Sequence, residues 1–123
     1  MIWDIYSNKR ITRIPHKREF DVWMSRLTEE QIRSIKSEIL QRISGDEVAT
    51  AGWIPGSNWS NTPFHPIWEN ACLCDDKSAG LCFGILVWVT LMEHKDCWGF
   101  GRYEVNNVPI ESMTYFKVHP VKI

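Results

Sequence analysis

The chain has 123 residues, enough for a single domain that buries a core without disulfides or metal. Its net charge of −1, with 24% charged residues, argues against a dedicated nucleic-acid binder. The charge is unevenly placed: residues 1–44 hold nine Lys and Arg against six Asp and Glu, whereas residues 45–123 hold five against nine. The basic excess lies in Lys9, Arg10, Arg13, Lys17 and Arg18, beside His16, with no aromatic interleaved among residues 9–18 as a single-strand binder requires.

Ile2 to Tyr6 is short, aromatic and β-branched, fit for an edge strand, and Lys9 to Pro15 reads as a polar connection. Phe20, Trp23, Met24 and Leu27 then fall at i, i+3, i+4 and i+7, the stripe of an amphipathic helix whose first turn suits Pro15. Thr28-Glu29-Glu30-Gln31 is a capping box that opens a second helix, and Ile32, Ile35, Ile39, Leu40 and Ile43 line one of its faces up to Gly45. The pair invites comparison with a helix-turn-helix, but Glu29 and Glu30 stand where a recognition helix meets phosphate, and the DNA reading fails there.

Residues 46–65 gather turn formers around Trp53 and Trp59 and predict an ordered loop that folds back or binds something. Pro66 can start a helical segment through Ile67–Ala71. Asp75-Asp76 precede an apolar run from Ala79 to Met92, with His94-Lys95 at its end, matching a helix dipole. Fourteen helical residues span about 21 Å, short of a hydrocarbon core of about 30 Å, so no membrane span is expected. The run predicts a central buried helix in which Gly80 and Gly84 admit close approach of another backbone. Ile85–Thr90 is also good strand material, and strand remains the alternative there.

The last third reads as β. Trp98, Phe100 and Arg102 alternate with Gly99, Gly101 and Tyr103, Glu104–Pro109 supplies a turn, and Met113–Val118 returns. The two glycines on one face imply a bulge or a close neighbour there, a Trp ring of the fold before a ligand. The expected fold is therefore α+β over residues 1–123 as one domain. An N-terminal helical pair and a buried central helix pack on a small antiparallel sheet made by the C-terminal hairpin, to which residues 2–6 can add a strand.

Chemistry-bearing motifs are sparse. Gly99-x-Gly101 lacks the third glycine of a dinucleotide fingerprint, and no phosphate-binding loop, nucleophile elbow or zinc-protease pattern occurs. Cys72 and Cys74 are too close together for a common zinc knuckle, so no metal and no cofactor is expected. The opening residues show no basic segment leading into an apolar one, which predicts a cytoplasmic protein with reduced thiols. Cys97 with His94, or Cys72 with His65, are the thiol–imidazole pairs chance allows, and no catalytic residue is assigned.

What stands out is tryptophan: seven in the chain, five of them from Trp53 to Trp98. Indoles serve cores, pockets and interfaces alike. The reading that follows is a non-catalytic binding protein with a Trp-lined pocket for a small aromatic or cationic molecule. Trp53, Trp59 and Trp68 would contact the ligand, Glu69 would neutralise a positive charge, and Arg102 would orient a polar group. The alternative is an interaction protein that uses a Trp-rich surface for homodimerisation or to hold a partner such as a toxin.

The segments GWIPGSNW, TPFHPIWENA, GLCFGILVW and WGFGRYE, spread over residues 52–118, are similar to small proteins encoded by mobile integron gene cassettes of bacteria such as vibrios. The resemblance implies a compact cytoplasmic protein, often a homodimer, without an assigned activity. It carries no site residues over.

Overall fold

The computed structural model describes residues 1–43, 59, 61–101 and 114–118, and the backbone alone of 48–50, 104–105 and 108–109. Trp53, Gly45 and Arg102 lie outside them. The first helix, α1 (Lys17–Ser25), buries Phe20 and half-buries Trp23 and Met24, as its stripe requires. It starts later than the proline implies. Pro15 lies outside the helix, and His16 takes the cap position in a left-handed conformation (φ 50°), its carbonyl accepting from Phe20 N–H at 2.9 Å.

The second helix, α2 (Glu29–Ile43), opens on the capping box read from the sequence. Thr28 N–H donates to Gln31 Oε1 and Gln31 N–H to Thr28 Oγ1, both at 3.0 Å, so two otherwise orphaned donors are met. Ile35, Ile39 and Ile43 are buried and Ile32 half-buried, but Leu40 is exposed: it lies one residue off the ridge that faces the core.

The apolar run is helical throughout. Helix α3 (Asp76–Met92) buries nine side chains, and its strand-like Ile85–Thr90 segment sits among them. Length and a strong start decide this over β-propensity. Asp75 caps the helix through Oδ1, which accepts from Lys77 N–H at 3.0 Å and Ser78 N–H at 3.3 Å. At the other end the helix dipole meets the Met1 ammonium, which donates to the carbonyls of Leu91, His94 and Asp96 at 2.5–2.8 Å. Among the described residues no second backbone approaches Gly80 or Gly84. A Cβ at either would meet nothing within 4 Å among the described residues.

Among the described residues five strands form one mixed sheet, in the order β2 (Lys9–Ile11), β1 (Ile2–Asp4), β4 (Trp98–Gly101), β7 (Thr114–Lys117) and β3 (Val48–Thr50). The expected C-terminal pairing is its centre: β4 (Trp98–Gly101) runs antiparallel to β7 (Thr114–Lys117), with Gly99 opposite Phe116. The sheet is larger than a hairpin, and it is not purely antiparallel. β1 (Ile2–Asp4) joins β4 in parallel through Ile2 and Trp98. β2 (Lys9–Ile11) pairs with β1 where a polar connection was expected, and β3 (Val48–Thr50) pairs with β7 inside the stretch read as loop. Between the central strands, β5 (Glu104–Val105) and β6 (Val108–Pro109) form a separate two-stranded ribbon. A close neighbour lies at Gly99, but it is the Phe116 ring and not an indole, and Gly101 has none within 4 Å among the described residues. Helices cover the sheet around one core, an α+β architecture. No helix among the described residues is long and apolar enough to cross a membrane.

Candidate functional site

Residues 59 and 61–75, between β3 and α3, hold three of the five predicted site residues: Trp59, Trp68 and Glu69. Pro66 does begin a helical segment, but its geometry is wider than α. Ile67–Ala71 form a π turn in which Cys72 N–H reaches Ile67 O at 3.0 Å. Such turns are rare and concentrate where function interrupts regular structure. Buried Ile67 and Ala71 hold one side of the turn in the core and leave Trp68 and Glu69 at the surface.

Trp59 is half-buried and faces inward. Its ring lies 5.6 Å from Phe83 and 6.5 Å from Phe64, which are themselves 5.1 Å apart edge to face. The Thr62 hydroxyl and N–H both donate to Trp59 O, at 2.7 and 3.1 Å, and hold the ring's backbone in place. Below it, the Arg42 guanidinium covers the Phe64 ring at 5.2 Å. Trp59 thus seals the core as much as it faces outward.

Trp68 is placed differently. Its indole N–H donates to Asp76 Oδ1 at 2.7 Å, a charge-assisted bond that ties the ring to the start of α3. One turn earlier, His65 Nε2 lies 2.7 Å from Glu69 Oε2, and the imidazole stands 5.8 Å from the Trp68 ring at 40°. Glu69, Asp75 and Asp76 make this stretch acidic in sequence, and the Arg26 guanidinium reaches the same turn, donating to Ala71 O at 2.7 Å. A half-exposed indole whose N–H rests on a carboxylate, with a second carboxylate beside it, offers an electron-rich face to a cation.

The turn that follows is strained. Leu73 (φ 52°) and Cys74 (φ 65°) are consecutive non-glycine residues in the left-handed region, and Asn61 (φ 60°) is a third in the same segment. The hydrogen bonds Cys74 N–H to Trp68 O (2.7 Å) and Asp75 N–H to Cys72 O (3.0 Å) hold the conformation. Asn tolerates this backbone through its short polar side chain; Leu and Cys do not, and such strain concentrates at functional positions. A groove of about 360 Å³ opens beside the segment, between Thr62, Pro63 and Pro66 and the Glu30 and Ser34 side of α2.

Sequence reasoning missed four participants. His65 was legible from its i, i+4 spacing to Glu69. Asp76 was not, because eight residues and a strained turn separate it from the indole it holds. Glu30 and Ser34 belong to the groove only through tertiary packing. The remaining predicted residues, Trp53 and Arg102, lie outside the described residues.

The thiol–imidazole pairs do not form. His94 Nδ1 accepts from Asp96 N–H at 2.9 Å, and His65 Nε2 lies 2.7 Å from Glu69 Oε2. Among the described residues no cluster of three metal-binding side chains comes together. Two of the mid-chain tryptophans are core: Trp88 is 7% exposed and Trp98 1%. Trp88 donates to Arg13 O at 3.1 Å, whereas Trp98 Nε1 has no partner among the described residues. No family model matches the chain, and comparison with curated proteins and with solved structures yields no significant match.

Proposed function

We propose that the protein is a non-catalytic binding protein whose recognition surface is the Trp68–Glu69 face of the π turn, and that its ligand is a small organic cation. The observation that carries the reading is the Trp68 indole, partly exposed and held at 2.7 Å by Asp76, next in sequence to exposed Glu69. Trp59 supports the segment from beneath, and Trp53 and Arg102 are assigned to the same site from the sequence. The four free thiols suit a reducing compartment, consistent with a cytoplasmic protein of the integron-cassette kind.

The test is a calorimetric and fluorescence titration with benzyltrimethylammonium and with its neutral isostere, neopentylbenzene, delivered at matched concentration. Cation–π attraction at a partly exposed site is worth about 0.5–2 kcal/mol, so the cation should bind roughly 2–30-fold more tightly and Trp68→Ala should erase the difference. Equal binding of the two probes, or an unchanged preference in Trp68→Ala, refutes the reading.

One feature favours a second reading, an interaction protein. Leu73, 67% exposed in the strained turn, and Leu81, 44% exposed on α3, present apolar side chains from the elements flanking Trp68. A homodimer or a bound partner covering them would use Trp68 as an anchor. Solution mass separates the readings: a dimer that Leu73→Asp and Trp68→Ala both dissociate supports the interface, and a monomer that binds the cation supports the pocket.

A further inference from the structure

The Trp68–Glu69 face already has an occupant drawn from the chain itself. His65 Nε2 lies 2.7 Å from Glu69 Oε2, and the imidazole centroid is 5.8 Å from that of Trp68, the two rings inclined at 40°. A cation held by an indole sits within about 6 Å of the ring centroid. The imidazole therefore meets both partners, the ring and the carboxylate, that a bound organic cation would use. Its backbone is fixed without that contact: His65 N–H donates to Thr62 O at 3.2 Å, and Phe64 and Ile67 on either side are buried in the core. The His65 and Glu69 side chains are 35% and 56% exposed, so the pair can part without any change in the fold.

We propose that His65 is a tethered competitor for the Trp68–Glu69 site: as an imidazolium it occupies the site, and as a neutral imidazole it yields to an external cation. The proposal rests on the cation-binding reading and adds to it regulation by protons. Two cations drawn to one carboxylate repel each other, so an external cation must displace the imidazolium and break its ion pair. A neutral imidazole gives up only an N–H donor bond to Glu69 and does not repel the newcomer. Histidine is the side chain whose charge ordinarily changes between about pH 5 and pH 8, which makes protons the switching agent.

Other charged and titratable groups approach the turn from each element packed on it. Asp75, Asp76 and Lys77 open α3, and Asp76 Oδ1 already accepts the Trp68 indole N–H at 2.7 Å. Arg26, at the end of α1, is spent on Ala71 O at 2.7 Å. Glu30 on α2 faces Pro66 across the groove. Cys72 and Cys74 follow the turn, and burial pushes the Cys72 thiol up, so it stays neutral. Among the described residues Glu69 alone forms an ion pair with the imidazole.

The experiment titrates the full chain with benzyltrimethylammonium and with neutral neopentylbenzene at about pH 8 and about pH 5.5, on either side of the usual histidine range. Wild type, His65→Gln and His65→Arg are compared, and circular dichroism at both pH values confirms the fold. An exposed i, i+4 pair predicts that the wild type binds the cation about twofold more weakly at the lower pH, with neopentylbenzene unaffected. His65→Gln keeps an N–H donor for Glu69 but carries no charge, and should bind the cation equally at both pH values. His65→Arg is a permanent planar cation, and should bind it about twofold more weakly than His65→Gln at both. His94 is present in all three proteins, so its titration cannot produce a difference between them.

Cation binding that ignores pH in the wild type overturns the proposal and leaves the site standing; this result needs no variant. A pH dependence retained in His65→Gln, or equal binding by His65→Gln and His65→Arg, overturns it in the same way. No preference for the cation in any of the three proteins at either pH overturns the binding reading, and this proposal with it.

Discussion

Gly99 offers the sharpest test of how the sheet is packed. It stands opposite Phe116 in the central β4–β7 pair, and a Cβ built there would overlap the ring, with Phe116 Cζ at 2.8 Å and Val118 Cγ1 at 3.0 Å. Its backbone is outside the left-handed region, so the demand for glycine is steric. Gly99→Ala therefore forces the ring to swing or the strands to part, a form of overpacking that costs about 1–3 kcal/mol. For a chain of this length that is a fall of roughly 4–12 °C in Tm. Thermal and urea unfolding of four proteins, the wild type, Gly99→Ala, Phe116→Ala and the double variant, isolate the pair term. Once the ring is gone, the alanine at 99 should be neutral or gain about 0.5–1 kcal/mol by restricting the unfolded chain. Gly101→Ala is the internal control, because a Cβ there meets nothing within 4 Å among the described residues. If Gly99→Ala costs nothing, or costs the same with and without the Phe116 ring, the ring does not lie over the glycine and the argument fails.

Three further outcomes follow from local geometry. Thr28→Ala removes one arm of the capping box and should cost about 1 kcal/mol in urea unfolding, with Gln31→Ala costing less than an additive amount on top of it. Ile39→Ala, at 0% exposure, should cost about 2–5 kcal/mol, whereas Leu40→Ala on the adjacent exposed position should stay within about 0.5 kcal/mol of the wild type. His94 should make stability depend on pH. Burial lowers its pKa below 6.5, opposed by Asp96 and aided by the Met1 ammonium, Lys117 and Lys95. The unfolded chain then takes up the proton first, so stability is full above 6.5 and falls as the pH drops towards the folded-state value. His94→Asn keeps an acceptor for Asp96 N–H and should flatten the change in unfolding midpoint between about pH 7.5 and about pH 5.5; an identical slope in both proteins contradicts it.

The parts of the fold legible in the sequence are those that local chemistry determines. The capping box at Thr28, the stripe from Phe20 to Leu27 and the Asp75 start of α3 each combine a spacing with a donor–acceptor need that lies within a few residues. Where the evidence is not local, reading fails. β2 and β3 are three residues each, too short for a period to show, and they are strands because β1 and β7 accept them. The parallel pairing of β1 with β4 joins opposite ends of the chain, and no local pattern encodes it. Leu40 was placed with the core because a helix stripe has soft edges; only the partner surface decides which edge is covered.

Tryptophan shows why the site was harder than the fold. Trp59, Trp68, Trp88 and Trp98 look alike as letters, and what separates them is the partner each indole meets. Trp88 finds Arg13 O and the rings of Phe100 and Tyr115, and it is core. Trp98 is enclosed with His94 and Lys117 against its faces and an N–H that meets no partner among the described residues. Trp59 spends its ring on Phe64 and Phe83. Among the described residues Trp68 alone of the four donates to a carboxylate, and that carboxylate belongs to α3, beyond a turn whose two left-handed residues no propensity scale would select. A core indole has no need of such a turn: a carbonyl would meet its N–H at less backbone strain. Setting an anion on the N–H raises electron density over the ring, and leaving the ring half-open makes that density available. A charged partner and partial exposure therefore coincide at Trp68, the strain lies in the turn that follows it, and the proposed cation is a ligand that would use the first two together.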